Sequence, residues 1–255
     1  MPPPGGEREA ADGIWTTTPK EAEGTIALTR ETFERRGLGD AWSRVIAVVV
    51  QPGVEFGDAT VFEYDRRRAA PLKALIERQP GLVYEAHSTD YQTPDRLREL
   101  VEDHFAILKV GPWLTFAFRE AVVALEEIER EWLGGKSGPT LSGLRGVMED
   151  AMQANPAYWE GYYRGDEHQR RFARRWSYSD RIRYYWPRPE AEAALARLLA
   201  NLEERPVPLS LISQYLPVQY NAVRGGSLSP APRDLIRHRI LEVLAPYARA
   251  CRMRG

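Results

Sequence analysis

The spacing of apolar residues changes character along the chain. From Thr18 to Arg36 it is helical, with Ala22, Ile26, Thr29 and Phe33 on one face. Thr18 stands before Pro19 as an N-cap stands before a first-turn proline, and Gly37 closes the segment. Val45 to Val50 is then a β-branched run with no polar alternation, the pattern of a strand buried on both faces of a parallel sheet. A helix carrying Leu72, Leu75 and Ile76 leads through the Gln79-Pro80-Gly81 turn to a second strand, Leu82 to His87. Thr93-Pro94 opens another helix with Leu97, Leu100 and Val101 inward. A third strand, Phe105 to Val110, stops at Gly111-Pro112, and Phe118, Val122, Leu125, Ile128 and Trp132 mark a long helix.

Three successive βα units predict right-handed parallel crossovers, with polar residues gathered where each strand hands over to its helix. That is the layout of the functional face of an α/β barrel. After Gly134-Gly135 the strand pattern ends. A weakly periodic stretch runs to Asn155, and an Arg/Tyr/Trp-rich segment to Trp186. A helix bearing Leu195, Leu198, Leu199 and Leu202 follows, then a Pro-bounded segment through Tyr220, then a helix bearing Leu235, Ile236, Ile240, Val243 and Leu244. Three strands cannot close a barrel. The expected fold is therefore α/β: the C-terminal part of a TIM (β/α)8 barrel over residues 15–135, with an α-helical C-terminal extension over 136–255. Residues 1–14, rich in Pro, Gly and charge, are expected to form a flexible lead-in.

Composition narrows the function classes. With 43% hydrophobic residues in 255, a sizeable core is expected. A formal net charge of -1 gives no global field to gather nucleic acid or anionic lipid, so neither partner is expected. The single Cys251 cannot form an intrachain disulfide, which fits a reducing compartment. No apolar stretch approaches the roughly 20 residues of a membrane span, so the expected location is the cytoplasm. The sequence contains no G-x-G-x-x-G, Walker, G-x-S-x-G or H-E-x-x-H pattern.

Candidate chemistry lies at strand ends. Glu85 and His87 share one face of a strand, and Asp90 follows in the loop. The three can bind a divalent metal or serve as acid and base; the commoner arrangement for such residues is that Glu85 and His87 hydrogen-bond in a polar interior while Asp90 caps a turn. Gln51 and Glu55, around Pro52-Gly53, suit either recognition of substrate hydroxyls or plain turn chemistry. Lys109 between Leu108 and Val110 has three readings: a desolvated Schiff-base nucleophile, a phosphate ligand, or the partner of a neighbouring carboxylate. The Arg170 to Arg188 segment, interleaved with Trp176, Tyr178, Tyr184, Tyr185 and Trp186, reads first as a packed helix, then as a sugar-phosphate contact through Arg181 or Arg183, and last as a single-strand binder. Ser179 and Asp180 join Arg181 as candidate substrate-binding residues. His104 and His238 are expected inside helices, and His168 in a charged run.

Five motifs, in order, resemble a known family. They are Val48-Val-Val-Gln-Pro-Gly-Val-Glu-Phe56, Val83-Tyr-Glu-Ala-His-Ser-Thr-Asp-Tyr-Gln92, Asp103-His-Phe-Ala-Ile-Leu-Lys-Val-Gly-Pro112, Ser177-Tyr-Ser-Asp-Arg-Ile-Arg-Tyr-Tyr-Trp186, and Leu211-Ile-Ser-Gln-Tyr-Leu-Pro217 followed by Gln219-Tyr220. They look like the second half of the non-catalytic subunit of class II tagatose-1,6-bisphosphate aldolase, the GatZ/KbaZ family. The resemblance implies a (β/α)8 barrel with a helical extension whose earlier strands, preceding a loop like Pro4-Gly5-Gly6, are missing from this sequence. It implies an accessory role in galactitol or amino-sugar catabolism beside a catalytic aldolase subunit that carries zinc, with a sugar phosphate as ligand and a homo-oligomer as an option. Some relatives are credited with 4-epimerisation of hexuloses or their phosphates. That alternative would make Glu85, His87 and Asp90 a metal or acid/base site.

Overall fold

The computed structural model describes residues 15–135 and 137–252. The expected lead-in over 1–14, with its Pro4-Gly5-Gly6 loop, lies outside the described residues. The described residues fall into two compact units: those up to Gly111 together with those from Ala245 onward, and those from Pro112 to Leu244.

The first unit opens with α1, Pro19–Arg35. Its start is a reciprocal capping box: the Thr18 hydroxyl accepts from the Glu21 amide, while the Glu21 carboxylate accepts from the Thr18 amide at 2.8 Å. The helix buries Ala22 and Ile26 and ends at Gly37, whose φ of +68° suits a residue without Cβ. The expected βα sequence follows, with β1 Ala47–Val50, α2 Arg66–Ile76, β4 Val83–Ala86, α3 Pro94–Glu102 and β5 Phe105–Leu108. Between β1 and α2 the chain inserts an antiparallel pair, β2 Glu55–Phe56 and β3 Val61–Phe62, too short for periodicity to announce.

The three longer strands form a parallel sheet in the order β1-β4-β5. Val49 stands opposite Glu85, which stands opposite Ile107, and the β4–β5 register shifts between Tyr84 and Glu85. This mixed α/β architecture agrees with the expected class. Among the described residues, however, the sheet has three strands and does not close on itself. Burial of the first strand on both faces is also not what the structure shows. Ile46 is 62% exposed, and Ala47 to Val49 are half-buried, because the faces of this edge strand are only partly covered.

The core of the unit is aromatic where β4 and β5 meet. Tyr84 and Phe105 are fully buried with ring centroids 5.1 Å apart, and Tyr64 meets Phe105 edge-on at 5.9 Å. Leu72, Leu75, Leu97 and Leu100 close the helical side. Buried phenols need partners: the Tyr84 hydroxyl donates to the Leu72 carbonyl at 2.9 Å, and the Tyr64 hydroxyl to Asp103 Oδ2 at 2.9 Å. Asp103 also accepts from Arg66 at 2.8 and 3.1 Å and from Lys73 at 3.0 Å. His104 is not inside a helix; its φ of +70° places it in the turn between α3 and β5.

The second unit is helical: α4 Pro112–Leu133, α5 Leu144–Ala154, α6 Glu167–Trp176, α7 Pro189–Glu204, α8 Leu209–Tyr215, α9 Pro217–Arg224, and α10 Pro232–Ala250 as far as Leu244. Val122, Leu125, Ile128, Met152, Leu198, Leu202, Ile212 and Leu235 form its core. Trp132 does not join them. It is 49% exposed, and Leu133 is the buried residue of the last turn of α4. Carboxylates inside this unit are bound rather than bare. Glu129 accepts from the Ser142 amide, the Ser142 hydroxyl at 2.5 Å and Asn201 Nδ2 at 2.6 Å. Arg174, 1% exposed, spans Glu149 at 2.6 Å and Glu167 at 2.7 Å, over the Trp159 ring. Arg174 is thus packed, in keeping with the first reading of the arginine-rich segment.

Asp103 makes the packing of the first unit testable. Burial by itself would raise its carboxyl, but hydrogen bonds from Arg66, Lys73 and Tyr64 outweigh that and hold it below the ordinary aspartate value. A depressed native value contributes stability that is fully present above about pH 4 and is lost as pH falls through the native value. Asp103→Asn should therefore cost about 2 kcal/mol at neutral pH and flatten the acid limb of the stability profile. Urea denaturation of both proteins between pH 3 and 7 checks it.

Candidate functional site

In a parallel sheet the loops at the carboxyl ends of the strands share one edge, where sites are usually built. Gln51 and Glu55 follow β1, Glu85 to Gln92 end β4 and continue past it, and Lys109 follows β5. The register shift between Tyr84 and Glu85 lies inside β4, two residues before the strand gives way to the polar loop.

Glu85 and His87 meet, with Nε2 of His87 2.7 Å from Glu85 Oε1, and their side chains are 28% and 14% exposed. Asp90 goes elsewhere. It is 2% exposed, and its Oδ1 accepts from the Gly111 amide at 2.9 Å, so it ties the loop after β4 to the end of β5. Among the described residues no three His, Cys, Asp or Glu side chains are grouped as a metal ion would require. The divalent ion expected of Glu85, His87 and Asp90 does not fit this arrangement, in which the aspartate is committed to the backbone.

Gln51 takes the turn role. Its side-chain oxygen accepts from the amides of Gly53 and Val54 at 2.9 and 3.0 Å, around a Gly53 with φ of +91°. A Cβ on Gly53 would also sit 3.1 Å from the Thr16 hydroxyl. Glu55 is buried at 4% exposure and accepts from the Phe56 amide at 3.1 Å. Lys109 is exposed, so the desolvation on which the Schiff-base reading rested is missing. What the structure uses at this position is its backbone: the Lys109 amide donates to Ala86, and the Lys109 carbonyl accepts from Thr89.

The remaining candidates belong to the second unit. Asp180 is fully buried at φ +46° and pairs through Oδ1 with Arg119 Nε at 2.7 Å. Asp180 Oδ2 and Arg119 Nη2 are buried without partners. Ser179 Oγ lies 2.7 Å from Ser177 Oγ and 3.2 Å from the Tyr163 hydroxyl. The Arg181 amide donates to the Tyr163 hydroxyl at 3.2 Å, its guanidinium donates to the Tyr158 carbonyl, and the group lies over the Tyr162 ring. All three spend polar atoms on the unit itself.

Sequence reasoning missed the residues that hold the edge of the first unit. Thr89 is fully buried; its amide and hydroxyl both donate to the Lys109 carbonyl, at 3.3 and 2.9 Å. The Tyr247 hydroxyl, 158 positions later, donates to the Thr89 carbonyl at 2.6 Å. Gln92, 1% exposed, accepts from the Tyr64 amide at 2.9 Å and donates to the Phe62 carbonyl at 3.0 Å. The Thr89–Tyr247 contact leaves no local signal, whereas Gln92 sits inside a motif whose resemblance marked it.

These motifs decide the family. "D-tagatose-1,6-bisphosphate aldolase subunit GatZ/KbaZ-like" is the description of the family that matches residues 1–252. The chain belongs to the GatZ/KbaZ-like family. It is also similar to the crystal structure of a probable tagatose 6 phosphate kinase from Sinorhizobium meliloti 1021, at 47% identity and a TM-score of 0.89 over 94% of this chain. The match covers 61% of that longer protein. Among the described residues no helix is long and apolar enough to cross a membrane.

Burial pushes the Tyr247 phenol up from its ordinary value, so it stays a donor across the accessible pH range. Tyr247→Phe removes the donor to Thr89 and should lower stability by about 1–2 kcal/mol with no inflection between pH 6 and 9. Chemical denaturation across that range measures both parts of the expectation.

Proposed function

We propose that the chain acts as a non-catalytic, accessory component of class II tagatose-1,6-bisphosphate aldolase, in the catabolism of galactitol or amino sugars. The observation that carries the reading is the family match over residues 1–252, nearly the whole sequence. The geometry at the sheet's carboxyl edge supports it. Gln51, Asp90 and Thr89 are committed to backbone groups, and Lys109 is exposed. Such an edge builds shape rather than a reaction centre. On this reading the zinc belongs to the catalytic partner, and the three parallel strands are part of a (β/α)8 barrel in longer members of the family. Ketose bisphosphate chemistry takes place on the partner, and this chain contributes by binding it.

A subunit that binds only the folded partner stabilises it by mass action, by about 2.7 kcal/mol at a hundredfold excess over the dissociation constant. Co-expression of the full chain with a class II catalytic subunit should yield a co-purifying complex with a higher melting temperature and a longer-lived aldolase activity. Failure to co-purify, with activity and lifetime unchanged, would refute the proposal. Turnover of a ketose phosphate by this chain alone would instead favour an epimerase centred on Glu85 and His87.

A further inference from the structure

A cleft of about 480 Å³ opens in the second unit, with walls supplied by α4, the α8–α9 junction and α10. That is the size of a small-molecule pocket, and grooves between helices are a usual place for one. One wall is the last of the family-like motifs, with Tyr215, Pro217 and Gln219 facing Glu120, Arg239 and Glu242. The accessory reading gives this motif no contact to make, and it lies outside the sheet edge.

The polar groups of the cleft are held in place before any ligand arrives. Gln219 is 2% exposed, and its Nε2 lies 3.0 Å from Glu242 Oε2 and 3.0 Å from His238 Nδ1. An ionised carboxylate only accepts, so the amide must turn its NH2 toward Glu242. His238 Nδ1 then accepts the second amide proton, which places the imidazole proton on Nε2. Arg239 bridges the two carboxylates, reaching Glu120 at 2.5 Å and Glu242 at 3.4 Å. Each carboxylate accepts at about four sites, and these bonds use only part of that capacity.

The charge of the lining selects among ligands. Two carboxylates and one guanidinium leave a single negative charge in excess, which opposes a phosphate or carboxylate. A cation would have to displace Arg239, which already lies between the two acids. A hydroxyl group is both donor and acceptor, so neighbouring hydroxyls match a carboxylate and a guanidinium side by side, while Tyr215, Pro217 and Val218 offer apolar surface to a carbon skeleton. We infer that this cleft binds an uncharged polyhydroxylated molecule, a sugar or polyol without phosphate. The inference is independent of the accessory-subunit reading.

Ligand-observed NMR on the full chain tests it, with sorbitol, sorbitol 6-phosphate and 1,4-diaminobutane as probes. Sorbitol should give a saturable signal and bind at least about tenfold more tightly than either charged probe. Glu242→Gln should weaken sorbitol by a similar factor. Val218→Trp should abolish the signal by filling the cleft; because Val218 is 52% exposed, its melting curve should match the parent and keep the test valid if Glu242→Gln misfolds. The inference is overturned by any of three results: no saturable sorbitol signal, sorbitol binding unchanged in Val218→Trp, or tighter binding of the phosphate or the diamine.

Discussion

The first unit depends on how the five residues after β4 are pinned. Ser88 and Tyr91 both lie in the left-handed region, at φ +54° and +63°, a conformation that costs on the order of 1–3 kcal/mol for each such residue. Between them sit Thr89 and Asp90, both buried, and their hydrogen bonds hold the loop in that shape. Thr89 returns two bonds to the Lys109 carbonyl, Asp90 takes the Gly111 amide, and Tyr247 closes on the Thr89 carbonyl. The loop therefore fixes the ends of β4 and β5 together and anchors the C-terminal segment. Gln92 extends the same clamp to the short β2–β3 pair through Tyr64 and Phe62.

The second unit solves a different problem, the burial of charge. Charged groups withdrawn from water are tolerated where their lone pairs and protons are met. Glu129 is met almost entirely by neutral donors, from Ser142 and Asn201, which ties α4 to the start of α5 and to α7. Glu149 is met by Arg174 and Arg175, which ties α5 to α6. The Arg119–Asp180 pair is less complete, since one atom on each side is unpaired. The αL backbone at Asp180 shows that the chain bends to bring this carboxylate inward. Of the arginines that could have read as a nucleic-acid surface, Arg174 and Arg175 are counter-ions of this interior, and Arg181 and Arg183 donate to backbone carbonyls.

Much of this was legible because local and tertiary preferences agree. Thr18-Pro19 and Thr93-Pro94 announce helix starts, and the caps are found at those residues. The runs Val45 to Val50, Leu82 to His87 and Phe105 to Val110 announce strands, and the slightly shorter strands found there, Ala47–Val50, Val83–Ala86 and Phe105–Leu108, all pair in parallel. Boundaries and faces were less legible. Val45 to Val50 reads as doubly buried because composition reports hydrophobicity but not whether a neighbour covers it. Trp132 fits the helical period as well as Leu133 does, and only packing separates them. The hairpin of Glu55–Phe56 and Val61–Phe62 is too short to have a period at all.

At the candidate site, residue type was legible and commitment was not. Glu85, His87, Asp90 and Lys109 are the types that catalysis uses, placed where catalysis is often found, but chemistry requires that their polar atoms remain available to a substrate. Availability is decided by the partner each group meets: Gly111 at the end of β5 for Asp90, and the adjacent turn backbone of Gly53 and Val54 for Gln51. The same strand-end position thus serves either architecture or reaction, depending on which group arrives first. Glu85 near the end of β4 and His87 just past it bond to each other through their side chains and keep part of their surface open. Thr89, Asp90 and Gln92, by contrast, are spent on backbone groups and so shape the loop that follows Glu85 and His87.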